Sequence, residues 1–302
     1  MSPRNKAYLN ILTAVVIWGV AGVVIKSTLN YLDTVTFLTY RFGLTSLVLV
    51  PIWFWQERSR LHLFPKLEKR DWVLVTITGL CSTTIQLMLL FLGFEKTTAI
   101  EGTLISSVAP IFVALAGHHF LGDKITRREQ VGMIIALTGT LIVVGLPRTI
   151  SNIWGNILVL AANLVWTTEA VLSKKLLRLN LEPFFLTTAF FLVGFVSILP
   201  IYLLTVKSSL LTIVIPPIGW FGFLYMVFLS GMLAYTLFYK GQKTIEASEA
   251  NTFIYLQPVI ATPVAFFWLK ESVEKSFWLG GALITAGVLL ATLKLRRPNP
   301  LP

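Results

Sequence analysis

The chain has little sulfur chemistry to offer. Its single cysteine, Cys81, stands in an apolar run, which excludes an intrachain disulfide and a thiolate metal site. Charge is also scarce: 13% of the 302 residues are Asp, Glu, Lys or Arg, against about 25% in an ordinary soluble domain. Acidic residues number only 14, against 25 basic ones. Histidine occurs three times, at His62, His118 and His119. None has the HExxH spacing, and adjacent helical positions diverge by about 100°, so a histidine metal pair is not expected. Neither GxxxxGK[ST] nor GxGxxG is present, so no phosphate-cradling loop marks a nucleotide motor or a dinucleotide enzyme. No metal, no cofactor and no catalytic residue is expected.

What fills the chain instead is apolar surface. Hydrophobic residues make up 55% of it, and the mean hydropathy is +0.77. A soluble domain of this length cannot hide so much. Apolar runs near 20 residues recur from end to end, each long enough to cross a bilayer as a helix. They predict ten spans, at 8–28, 35–55, 72–94, 99–121, 130–146, 153–174, 183–205, 218–240, 249–269 and 277–294. The basic lead and first apolar run resemble a signal peptide. That run has the length of a full span and no clear small-x-small site ends it, so it is expected to be retained. The net charge of +11 needs no nucleic acid to explain it. With a cytoplasmic N-terminus, 18 of the 25 Lys and Arg fall on inside loops and tails and 5 outside; Lys26 and Arg41 lie within spans. That bias puts both termini in the cytoplasm.

The register of the chain repeats. Residues 99–143 echo 247–291 without a gap: Glu101 falls on Glu249, Pro110 on Pro258, Gly132 on Gly280 and Gly139 on Gly287. The same offset of 148 residues carries Trp18 to Trp166 and Lys26 to Lys174. Each half holds five spans, an odd number, so the second half enters from the opposite face. The prediction is an all-α integral membrane protein of two inverted five-helix repeats, 1–148 and 149–297, with a short tail over 298–302.

WGVAGVVIK, TYRF and APIFVALAGHHFLGD with Gly132 and Gly139 recur in part as VWTTEAVLSKK and QPVIATPVAFFWLKE with Gly280 and Gly287. This pattern resembles the EamA family of the drug/metabolite transporter superfamily over about residues 8–294. Lys270 stands where the pattern has the glycine matched by Gly122, and the pair His118-His119 is unusual. The resemblance implies ten helices, export or exchange of small metabolites, and a central cavity lined by spans one, three, four, six, eight and nine.

Several residues are candidates for that cavity. Thr103, Ser107, Pro110 and Ala114 share one helix face, echoed by Asn251, Tyr255, Pro258 and Thr262. The alternative use of such a face is close helix packing. Pro110 and Pro258 stand mid-span, where proline frees a carbonyl and can kink a helix. Trp18 and Trp166 are mid-span rather than interfacial. With Gln86, Tyr235 and Tyr239 they suit a small amphipathic solute, or simply fill the core. Glu169 is the deepest carboxylate and a candidate proton carrier. Two latches are expected, Lys26 with Glu101 at the outer face and Lys174 with Glu249 at the inner. The alternative is that these charges snorkel separately. Arg41 is a rival partner for Glu101, or a site for a substrate carboxylate; its echo is Ala189. Gly132, Ala136, Gly139, Gly280 and Gly287 seat spans five and ten against the bundle.

The expected activity is secondary transport of small metabolites, foremost amino acids, out of the cytoplasm by alternating access. The setting is a prokaryotic cytoplasmic membrane, the partners are a small-molecule solute and the lipid bilayer, and the protein is a monomer or homodimer. One rival is a proton-driven exporter of drugs or other lipophilic solutes. Small relatives of that kind carry a Glu eight residues before the Lys of span one, where this chain has Trp18 and Trp166. The others are a membrane enzyme, which would need clustered carboxylates or histidines, and a scaffold, which would fill the polar stripes with packed side chains.

Overall fold

The computed structural model describes residues 1–29, 31–57, 67–97, 105–144, 152–206, 217–269 and 275–292. Among them all regular structure is helical. The elements are α1 (Pro3–Thr28), α2 (Thr34–Glu57), α3 (Lys69–Lys96), α4 (Ala109–Leu121), α5 (Arg127–Val144), α6 (Ile153–Arg178), α7 (Pro183–Thr205), α8 (217–244), α9 (247–269) and α10 (Ser276–Thr292). Seven of these, α1, α2, α3, α6, α7, α8 and α9, are long and apolar enough to cross a membrane. α4 and α10 are apolar but shorter.

Local chemistry starts the helices where the sequence offers caps. The Ser2 hydroxyl accepts the Asn5 N–H at 3.2 Å, and Pro3 opens the first turn of α1. Asn152 Oδ1 accepts from Trp154 and Gly155 at the start of α6. Thr126 and Glu129 cap α5 reciprocally: the Thr126 N–H donates to Glu129 Oε2 at 2.8 Å, and the Glu129 N–H to Thr126 Oγ1 at 3.2 Å. α4 ends at Gly122, whose φ of 71° is the left-handed cap that glycine adopts without strain.

Three helices are irregular, and the irregularities obey the repeat. α3 carries a π-helical turn over Cys81–Ile85. α8 carries one over Tyr225–Leu233, which includes the matched positions 229–233. α9 is interrupted by a 3₁₀ turn at Phe253–Leu256, and the matched stretch 105–108 ends in the turn just before α4. The interruptions therefore fall immediately ahead of Pro110 and Pro258. Each proline is the second residue of a resumed helix, where its missing N–H costs little. Irregular backbone at membrane depth is tolerated where protein buries it.

The helix crossings are reciprocal under the same offset. α5 and α10 meet backbone to backbone. A Cβ on Gly132 would lie 2.6 Å from Gly287 O, and one on Gly139 2.6 Å from Gly280 O. The reverse contacts, Gly287 to Gly132 O and Gly280 to Gly139 O, are 2.5 and 2.6 Å. So the small residues of spans five and ten seat the two helices against each other. Gly93 of α3 abuts Val159 and Gly155 of α6, while its counterpart Gly241 of α8 abuts Ile11 and Ala7 of α1. Position for position, these are the same contacts with the halves exchanged. Reciprocity of this kind is what a twofold axis between the halves produces.

Candidate functional site

The centre is built on Trp18 of α1 and Trp166 of α6. Their rings meet edge to face with centroids 6.0 Å apart. Trp18 Nε1 donates to Ser230 O, on the π-helical turn of α8, at 3.2 Å. Trp166 Nε1 donates to Asn251 Oδ1 at 2.9 Å, and Asn251 Nδ2 donates to Ala247 O one turn back. Tyr235 packs on Trp18 at 5.1 Å and lies 6.0 Å from Tyr239; Phe238 contacts both indoles. The Tyr239 hydroxyl donates to Glu169 Oε1 at 2.9 Å and lies 3.1 Å from Ser82 Oγ on the π turn of α3. Both π turns thus put a serine, Ser82 or its counterpart Ser230, against this aromatic centre.

Of the residues read from sequence, Trp18, Trp166, Tyr235, Tyr239, Asn251 and Glu169 come together here. Gln86 and Tyr255 are buried on α3 and α9, each with a side-chain oxygen that has no hydrogen-bond partner among the described residues. Ser107 is half-buried in the turn before α4. At this centre the aromatic rings rest on one another. Two recesses among the described residues are apolar. One is lined by Pro263, Val264, Phe267 and Trp268; the other includes Ile105, Val108, Ile157 and Leu160.

The charges pair differently from the sequence expectation. Glu249, 3% exposed, takes an ion pair from Arg4 and a hydrogen bond from the Tyr8 hydroxyl. Tyr8 also lies 2.7 Å from Thr292 O, so α1, α9 and α10 are tied at one end. Lys174 does not join Glu249. Its ammonium donates to Gln242 O at 2.5 Å and Ile245 O at 2.6 Å, satisfying carbonyls at the C-terminal end of α8. Arg178 of α6 donates to Leu121 O at 2.9 Å and to Asp123 at 3.3 Å, and the other Asp123 oxygen accepts the Ala247 N–H at 3.1 Å. These ties share the face where α1 begins and α10 ends. Glu101 and the side chain of Lys26 lie outside the described residues, as do Thr103 and Lys270. Arg41 is buried on α2 and donates to Ser230 Oγ at 3.2 Å.

A model of the EamA-like transporter family matches residues 5–145 and again residues 153–293. The chain belongs to the EamA-like transporter family. The uncharacterized transporter YyaM of Bacillus subtilis strain 168 is 26% identical over 280 residues, covering 91% of this chain and 89% of the relative. An uncharacterized transporter of Archaeoglobus fulgidus is 26% identical over 296 residues, covering 96% and 99%. A solved crystal structure superposes with a TM-score of 0.78 at 17% identity, over 95% of this chain and 97% of that one, and so shares the fold. Family and relatives make this EamA-like chain a membrane transport protein and not an enzyme.

Sequence reasoning missed five residues of this EamA-like centre and its closed face: Ser82, Ser230, Arg4, Tyr8 and Asp123. The serines carried a signal, since the offset places Ser82 on Ser230. Arg4 carried none, because its partner is fixed by helix packing across 245 positions of chain; Asp123 ends the APIFVALAGHHFLGD motif, but nothing in the sequence marked Arg178, 55 positions on, as its partner.

Proposed function

We propose that this EamA-like transporter is a secondary transporter that moves small metabolites, with amino acids as the first class to test, out of a prokaryotic cytoplasm. Its two halves act as inverted repeats of five spans each and alternate access to a site at the Trp18–Trp166 pair. The observation that carries this reading is that meeting of equivalent indoles 6.0 Å apart, with the Trp18 N–H committed to Ser230 of the other repeat and the Trp166 N–H to Asn251 of its own. The offset and the reciprocal helix crossings support the repeat, and the distribution of Lys and Arg supports cytoplasmic termini. On this reading the ties at the terminal face are the closed inner gate, the bilayer is the surrounding partner, and the unit is a monomer or homodimer.

The direct test is flux of labelled L-amino acids in proteoliposomes, with and without a pH gradient. Saturable movement of at least one supports the reading; a panel that never moves faster than in empty vesicles rejects the substrate class. Replacing Trp166 by Phe keeps a ring and removes the donor to Asn251. Losing one hydrogen bond to a buried group costs about 1–3 kcal/mol. The same protein by size exclusion, with flux down about tenfold, is the expected outcome.

One observation favours a proton-coupled variant of this reading. Glu169 is fully buried, and among the described residues its Oε2 has no hydrogen-bond partner. Coupling through Glu169 predicts that Glu169→Gln makes flux indifferent to the pH gradient. Flux in Glu169→Gln that still follows the gradient assigns the proton elsewhere.

A further inference from the structure

Arg41 is the buried cation that the proposed cycle does not use. It is 2% exposed on α2. Among the described residues its guanidinium makes one hydrogen bond, to Ser230 Oγ, and its Nε has no partner. No carboxylate among the described residues pairs with it. The deepest one, Glu169, is engaged by Tyr239. A cation at membrane depth without a carboxylate is costly, so an anion is the group that its described surroundings lack; Glu101, read from sequence as another partner for it, lies outside the described residues.

The neighbouring groups fit an anion as well. Thr45 lies one turn from Arg41, and among the described residues its buried hydroxyl has no partner. It faces the same π turn that holds Ser230, since a Cβ on Gly231 would lie 3.2 Å from Thr45 Oγ1. Ser230 Oγ accepts from Arg41, which leaves its own hydrogen free to donate. Ser230 O accepts from Trp18, which joins this donor set directly to the aromatic centre. A planar guanidinium with hydroxyl donors beside it is chemistry that suits a carboxylate.

We propose that Arg41, with the hydroxyls of Thr45 and Ser230, binds the anionic group of the solute, a carboxylate. That the solute is also carried across rests on the transport reading above; the binding does not. The counterpart of Arg41 in the other half is Ala189, so the repeat supplies one such site and the solute is held in one orientation.

The test is thermal unfolding of the purified full-length chain in detergent, with free L-amino acids each compared with its C-terminal amide, which lacks the carboxylate. Acids raise the unfolding temperature of the wild type and amides do not. Arg41→Gln removes an uncompensated charge, so its ligand-free unfolding temperature holds or rises. Its apparent affinity for the acids falls about 10- to 100-fold. Arg41→Lys keeps charge without the fork and falls between. Amides that stabilise the wild type as well as acids do, acids that still stabilise Arg41→Gln, or no stabilisation of the wild type by any acid would each overturn the site. If Arg41→Gln fails to fold, the acid-against-amide comparison on wild type and Arg41→Lys decides alone. Carboxylate-dependent stabilisation without flux refutes transport and leaves the site standing. Flux of amides equal to that of acids refutes the site and leaves transport standing.

Discussion

Leucine at Gly139 is expected to prevent the two halves from closing on each other. A Cβ there would lie 2.6 Å from Gly280 O and 2.7 Å from the Ile284 nitrogen, both backbone atoms of α10. A side chain can rotate out of such an overlap; a helix backbone has to move. It cannot pivot, because Gly132 and Gly287 touch equally closely further along the crossing. Overpacking in a core costs about 1–3 kcal/mol, occasionally more, and a backbone-on-backbone clash belongs at the upper end. The readout is the monodisperse yield and unfolding temperature in detergent. Gly22→Leu is the control, because nothing lies within 4 Å of a Cβ at Gly22. Gly139→Leu should collapse in yield or melt far below wild type while Gly22→Leu stays close to it. Matching behaviour of the two would mean that the α5–α10 crossing is not a structural joint.

The second large effect is expected at Glu249. Glu249→Lys sets two cations together where Arg4 now meets a carboxylate that is 3% exposed. Breaking a buried ion pair typically costs about 3–5 kcal/mol. Arg4 is 34% exposed, so solvent screens part of this, leaving about 1–3 kcal/mol. On the proposed alternating-access reading, that shifts the balance of open and closed forms of the terminal face by about 5- to 150-fold. Spin labels at Lys6 and Lys124, both exposed, in a Cys81→Ser background would read the opening as a longer distance population. Combining Arg4→Glu with Glu249→Arg should restore the short distance. Unchanged distances in Glu249→Lys would show that Arg4 and Glu249 are neighbours without holding the face closed.

The sequence carried the apolar helices and the half-length offset between them, for a physical reason. Apolar runs are local, and the 148-residue offset matches Trp18 to Trp166 and Gly139 to Gly287 from the residues alone. What it did not carry were choices made by tertiary packing. Glu249 had to find a cation, and Lys174 was the symmetrical candidate. α8 ends beside Lys174, however, and its last carbonyls took the ammonium. Arg4, far away in sequence, was brought to Glu249 by the crossing of α1 with α9 and α10. Pro110 and Pro258 announced irregular helices correctly in region but not in form, because the turn lies ahead of each proline. The π turns had no composition of their own; only the matched serines marked them.

The two indoles at the centre are equivalent in sequence but not in what they hold. Trp18 gives its N–H to a main-chain carbonyl, which no substitution removes, whereas Trp166 gives its N–H to the side chain of Asn251. If the halves swap roles during the cycle, those two bonds cannot trade places, so the forward and reverse swings are unequal in energy. On the alternating-access reading proposed above, that gives the molecule a preferred resting side built into its middle, and Asn251 is the position from which the preference would be tuned.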